Sequence, residues 1–271
     1  MDVASMAVIQ KRKSNLKMKK LKGNIALRAG QIGLVVVLLV LWEIGARTGH
    51  ISTFLFASPS KTFETLVSKA QTGELWTDIR ITGQETIMGF ILGSLMGSAI
   101  GLLLWCSDKV AKFSKPYVAA IGSIPVMVLS PLIIIWFGTG IASKIAIVTF
   151  SCIFVSISTA YDGATQVDPD QIRLMQSFGA TKFQIFTKIV VPSSMTWVVS
   201  GFKMNIGFAI VGAIVGEYIS SDAGIGHMIL MGSSSFRIQV TLAGLVATMI
   251  YIFVLNLAVG ALEKVLLRWK K

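Results

Sequence analysis

Residues 86–106 read TIMGFILGSLMGSAIGLLLWC. These 21 positions carry no charged side chain, and a helix of that length is about 30 Å long, the thickness of a bilayer's hydrocarbon core. In lipid the backbone must satisfy its own hydrogen bonds, so the run reads as a spanning helix. Gly89, Gly93, Gly97 and Gly101 recur every four residues along one face of it. Small residues at that spacing let helix backbones approach closely. They mark either packing inside one subunit or a contact between two.

Working outward, comparable apolar runs cover 29–45, 116–143, 145–161, 196–216 and 238–262, which makes six spans and an all-α polytopic fold. The third is long and the fourth short, and only Gly138-Thr139-Gly140 and Lys144 separate them. The composition agrees: 54% of the 271 residues are hydrophobic and 14% charged, against about a quarter charged in a soluble domain. The mean hydropathy is +0.73. A net charge of +12 suggests nucleic acid, but the basic residues flank the apolar runs, which is a topology signal. Eight precede the first run, in a basic tail at 1–28, and Lys264, Arg268, Lys270 and Lys271 follow the last. With the N-terminus inside, 19 of the 25 Lys and Arg fall on the inner side and six outside, so both termini are expected in the cytoplasm. No small-residue cleavage site follows the first apolar run before Arg47, so that run reads as a first helix and not a removed signal.

The chain lacks the short motifs that mark common catalytic and metal sites. No P-loop, zinc-protease helix, Cys-x-x-Cys pair or nucleophile elbow occurs, so no catalytic site, metal site or bound cofactor is expected. His50 and His227 fall in outer loops, and Cys106 and Cys152 read as packing residues. Within the spans Lys203 and Glu217 are ionisable. They lie about 21 Å apart along one helix and so cannot pair. Lys203 either snorkels to the inner interface or serves transport. A proton- or sodium-coupled carrier normally shows more carboxylates at mid-membrane, so a partner-free carrier or channel is the lesser reading, as is a membrane scaffold.

Three loops are long. The outer loop 48–85 contains a helix start at Ser58-Pro59, and Phe63, Leu66, Val67 and Ala70 follow with helical spacing. The outer loop 217–237 is rich in glycine and serine. The inner loop 162–195 is too apolar for a flexible linker and too charged to span. In it Asp168-Pro169-Asp170 opens a helix that Gly179 closes. A second helix is expected over 181–190, with Phe183, Phe186 and Val190 on one face and Pro192 beginning the next span. Two short helices with apolar residues at the membrane surface read as a docking knob for a soluble partner.

Residues 168–192, DPDQIRLMQSFGATKFQIFTKIVVP, resemble the cytoplasmic signature of permeases of binding-protein-dependent ABC importers. Gly179, Ala180, Phe183, Val191 and Pro192 fall where the signature expects them, while Arg173-Leu174-Met175 replaces its E-A-A. FASPS at 56–60, GELW at 73–76, IPVMVLSPLIIIWFGTG at 124–140 and GFKMNIGFAIVGAIVGEYISSDAGIGHMI at 201–229 are similar to the nitrate, sulfonate and taurine branch, which includes bicarbonate and thiamin-precursor importers.

The resemblance implies a type I importer permease with its domain over 29–271, a family core near 82–262 and the coupling loop at 162–195. It implies a homodimer in the inner membrane, a cytoplasmic ATP-binding subunit that holds the ATP and Mg, and an external solute-binding protein. The ATPase would dock on Arg173, Leu174, Met175, Gly179, Ala180, Phe183, Phe186 and Pro192. Pro125, Pro131, Lys203 and Glu217 are candidates for the translocation path. The two prolines either expose carbonyls toward it or merely kink a packed helix. A small anion such as a sulfonate, taurine or nitrate is the expected cargo, with a thiamin-precursor-like heterocycle as the alternative.

Overall fold

The computed structural model describes residues 27, 30, 31 and 33–266. The basic tail expected at 1–28 lies outside the described residues except for residue 27, and so do Arg268, Lys270 and Lys271. The chain divides into a small unit ending at Phe63 and a larger one beginning at Glu64.

In the small unit helix α1 (33–47) exposes apolar side chains from Leu34 through Leu41, as a helix facing lipid does. Beyond it come α2 (Thr53–Phe56) and the start of α3 (Pro59–Gln71). Glu43 fastens the two ends of this unit. It pairs with Arg47 at 2.7 Å and accepts hydrogen bonds from Ser60 N–H at 3.0 Å and Ser60 Oγ at 2.8 Å.

The larger unit is organised by α7 (Ile141–Thr165), which packs against α4 (Glu74–Leu104) on one side and α10 (Val191–Ile219) on the other. The glycine face of α4 explains the first contact. A Cβ added at Gly93 would lie 2.6 Å from Thr149 O, and one at Gly97 would lie 2.6 Å from Ser156 Cβ. Both distances are impossible for real atoms, so only glycine allows α4 and α7 this close. The stripe therefore serves packing inside one chain. On the other side a Cβ at Gly212 would come within 3.0 Å of Val148 Cα.

Residues 116–143, expected as one long span, are two helices. α5 (Asp108–Gly122) and α6 (Val126–Phe137) meet at a 93° bend. Pro125 stands at that corner with an extended ψ of 126° and no N–H to continue a helical ladder. Pro131, inside α6, does not break it. Four described helices have the length and apolarity to cross a membrane, five if the bent pair is one span.

Two loops contain more helix than expected. α4 starts at Glu74, so Asp78, Arg80 and Glu85 sit in a helix and not in the loop 48–85. The loop 217–237 holds α11 (Ile225–Ser234), whose Ile225, Met228 and Ile229 pack on Val240, Ala243 and Ala247 of α12 (Ile238–Leu266).

Candidate functional site

The inner loop is built by local rules. α8 (Pro169–Ser177) is capped by Asp168, whose Oδ1 accepts from Asp170 N–H at 2.9 Å. It ends in a Schellman turn: Gly179 N–H donates to Gln176 O at 2.9 Å and Ala180 N–H to Met175 O at 3.0 Å, with Gly179 at φ +76°. Thr181 and Gln184 then form a reciprocal capping box that opens α9 (Lys182–Ile185).

The second loop helix is not separate. α9 runs through a π turn at Phe186–Val190 into α10, and Lys182–Ile219 is one continuous 38-residue helix. Pro192 accounts for the widened turn: it has no N–H for Lys188 O, and its ring crowds that carbonyl in a regular α-helix. The turn also breaks the expected face. Residues in a π turn advance less around the axis than in an α-helix, so Phe183 points outward while Phe186 and Val190 point in.

The candidate docking residues accordingly divide in two. Met175, Ala180 and Phe186 join Ala164, Val167, Ile185 and Val190 in a cluster beneath the loop. Phe186 stacks on Trp105 with centroids 6.0 Å apart, and Lys182 Nζ donates to Cys106 O at 2.6 Å, tying the loop to the end of α4. Leu174, Phe178 and Phe183 face outward at 56%, 78% and 74% exposure. Arg173 is exposed beside Asp170 at 3.5 Å, a surface pair of little energetic weight.

The path candidates also separate. Pro125 lines a cleft of about 450 Å³ with Met127, Phe150, Phe154, Phe208 and Val211, where the α5–α6 corner crosses α7 and an exposed stripe of α10. Its lining contains no charged residue. Pro131 is exposed on α6. Lys203 lies elsewhere and pairs with Glu263 of α12 at 2.7 Å. Glu217 is fully buried at the other end of α10, where its Oε1 accepts from Thr82 Oγ1 at 2.6 Å and its Oε2 from Gly226 N–H at 2.5 Å. With Asp78, which accepts from Gly224 N–H at 2.8 Å, these carboxylates hold the N-terminus of α11, where orphan N–H groups favour an anion.

With this geometry in hand, known proteins supply the identification. Residues 89–271 match the family of binding-protein-dependent transport system inner membrane components. The chain belongs to that family. The permease is 28% identical over 240 residues to the formylaminopyrimidine transport permease protein ThiX of Halalkalibacterium halodurans, covering 87% of this chain and 94% of the relative. It is 26% identical over 244 residues to the taurine transport system permease protein TauC of Escherichia coli, covering 88% of each. A solved structure of the MetNI methionine ABC transporter, in an inward-facing conformation, superposes with a TM-score of 0.63 at 17% identity, covering 73% of this chain and 98% of that one. The permease thus has the type I ABC importer fold and is a multi-pass inner-membrane protein that moves small solutes, in a family of transport permeases and not of enzymes.

Two polar groups of the permease escaped the sequence reading. The first is the buried set around Glu217. Glu85 meets Glu217 carboxyl to carboxyl, and Lys144, expected in an outer loop, is buried and donates to Thr139 O. The second is Asn205, fully buried between three helices, whose Nδ2 donates to Ser94 Oγ at 2.8 Å and Ser156 Oγ at 2.7 Å. Only the four-residue spacing of Ser94 and Ser98 beside the glycine stripe hinted at it. Polar contacts between membrane helices average under about 1 kcal/mol, because the unfolded helices in lipid find other partners. Asn205→Ala is therefore expected to lower the unfolding free energy of the detergent-solubilised permease by only about 1 kcal/mol, read as a small drop in melting temperature. His227 lies in α11 and lines a polar pocket of about 520 Å³ with Asp78, Asp222 and Arg237. Among the described residues no group of three or more His, Cys, Asp or Glu is placed to hold a metal ion.

Proposed function

We propose that the permease forms half of the translocation path of an ATP-driven importer, as a homodimer with both termini in the cytoplasm. A separate ATP-binding subunit, holding ATP and Mg, docks on the α8–α9 surface, and a solute-binding protein delivers cargo at the opposite end. The observation that carries this reading is the pair of phenylalanines, Phe178 and Phe183, held outward on a loop whose core is otherwise complete. Exposed aromatics on a firmly capped knob fit a groove of a soluble partner. Leu174 and Arg173 flank them, Met175, Ala180 and Phe186 support them from beneath, and Gly179 and Pro192 set the turns. Because α9 is continuous with α10, movement of the knob is carried into the membrane by a single helix. Pro125 shapes the cleft wall of the path and Pro131 the helix α6 that leads from it, while Lys203 and Glu217 bear on the path through the helices they tie.

For cargo, the branch favours a small anion such as a sulfonate, taurine or nitrate. The cleft itself favours the second reading, a thiamin-precursor-like heterocycle, because Phe150, Phe154 and Phe208 line it and no cation does.

Reconstitution in liposomes with the ATPase and the binding protein tests the whole. ATP hydrolysis stimulated by loaded binding protein is expected, with uptake of taurine or of a formylaminopyrimidine deciding the cargo. Phe178→Ser with Phe183→Ser is expected to weaken ATPase association about tenfold or more, since each anchor is worth over about 1 kcal/mol. Both side chains are exposed, so folding survives. Full association in the double variant refutes the docking surface, and solute flux through the permease alone refutes the importer.

A further inference from the structure

Between α5 and α7, at the end of the bundle that carries the inner loop, lies a cleft of about 230 Å³. Leu104, Ala111 and Val118 give it apolar walls, and Lys115, Tyr161 and Asp162 stand at its mouth. A cation and a carboxylate thus share one cleft, yet neither belongs to an ion pair among the described residues. α5 also exposes Lys109 and Lys112. Beside them Phe113 and Tyr117 are 71% and 55% exposed, with ring centroids 5.3 Å apart. Lysines interleaved with exposed aromatics mark the height of lipid headgroups, where rings bury their faces among acyl chains and ammonium groups reach phosphates. Deeper in, a Cβ at Gly122 would fall 2.8 Å from Phe154 Cβ. α5 and α7 therefore pack closely one turn beyond Val118, at one end of the cleft.

We propose that this cleft binds a zwitterionic phospholipid with a primary amine, its phosphate on Lys115 and its ammonium on Asp162, with the head of one acyl chain along Ala111 and Val118. Basic pockets between membrane helices recognise lipid phosphates, and Asp162 makes this one selective. A glycerol headgroup shares the phosphate but brings no positive charge to the Asp162 carboxylate. A choline headgroup brings a positive charge but no N–H to donate to it. An ethanolamine headgroup satisfies both charged groups. The binding needs neither the ATPase nor the delivery protein, so it stands or falls separately from the importer reading.

The test uses the full-length permease in detergent, titrated with soluble short-chain phosphatidylethanolamine, phosphatidylcholine or phosphatidylglycerol, with bound lipid counted by native mass spectrometry. The ethanolamine lipid is expected to bind at least about tenfold more tightly than the choline lipid, the value of one charge-assisted hydrogen bond. Asp162→Asn abolishes that preference, and Lys115→Gln weakens ethanolamine-lipid binding about tenfold. Both side chains are exposed, so unchanged melting temperatures confirm that the variants fold. Equal binding of all three lipids overturns the proposal. So does preference for the glycerol lipid, a preference that survives Asp162→Asn, or a second copy of the chain that excludes lipid.

Discussion

Gly97→Val is expected to destabilise the permease by about 3 kcal/mol or more, with a large fall in melting temperature and in the yield of folded protein. A Cβ at this position meets Ser156 Cβ at 2.6 Å and collides with the carbonyl oxygen of Ile153, which is backbone and cannot rotate aside. The helix must shift as a whole, and with it the contacts of Gly89, Gly93 and Gly101 along the same face of α7. Overpacking that side chains can absorb costs about 1–3 kcal/mol. A backbone collision in a four-step ladder is expected at or above the top of that range. Gly207→Ala is the internal control, since Gly207 lies on an equally apolar helix with no atom within 4 Å of its added carbon. Size-exclusion profiles and melting temperatures of the two variants in mild detergent give the comparison. A Gly97→Val permease that migrates and melts like the parent shows that α4 and α7 do not touch along this face.

Glu217→Ala destabilises the permease by about 3–5 kcal/mol, the usual result of deleting one partner from a buried charged network. The loss is not one bond. Thr82 Oγ1 and Gly226 N–H both lose their acceptor, and Glu85 and Lys144 remain buried beside the gap. Glu217→Gln retains one side-chain oxygen and is expected to fall between parent and alanine variant. α11 is the element released, so hydrogen exchange in Ile225–Ser234 is expected to rise well before the rest of the bundle responds. Unchanged exchange there, alongside an unchanged melting temperature, shows that the carboxylate does not hold α11.

These two sites differ in how far they were legible. The glycine stripe was visible as a face at four-residue spacing, but nothing in it named α7 as its partner, and a contact between subunits was an equal reading. Glu217 was visible as an acid at the end of a span. Its companions were not, because Glu85 and Asp78 sit among Glu74 and Arg80, and that density of charge ends a hydropathy window although the helix continues to Glu74. The charges are tolerated there because Asp78, Thr82 and Glu85 turn toward α10 and α11 and not toward lipid. Lys144 was hidden in the same way by a short glycine-flanked gap.

The inner loop was legible in its caps and misread in its faces. Asp168, Pro169 and Gly179 act through bonds that reach only a few residues, so their pattern survives any tertiary arrangement. The face containing Phe183, Phe186 and Val190 assumed 3.6 residues per turn, and the π turn ahead of Pro192 removed that assumption. Likewise the length and apolarity of 116–143 argued for one span, and the backbone change at Pro125 divided it.

By itself the sequence determined that this chain lives in lipid, roughly where it crosses, how its inner loop is capped, and which family it resembles. Those properties are sums over neighbouring residues or bonds within one turn. The tertiary structure alone decided which helix the glycines meet, which carboxylates hold α11, and which aromatics of the loop remain exposed. Transfer into lipid is additive along the chain, whereas close packing and polar pairing depend on which groups meet in space, and residues as distant as Thr82 and Glu217 meet only once the bundle has closed.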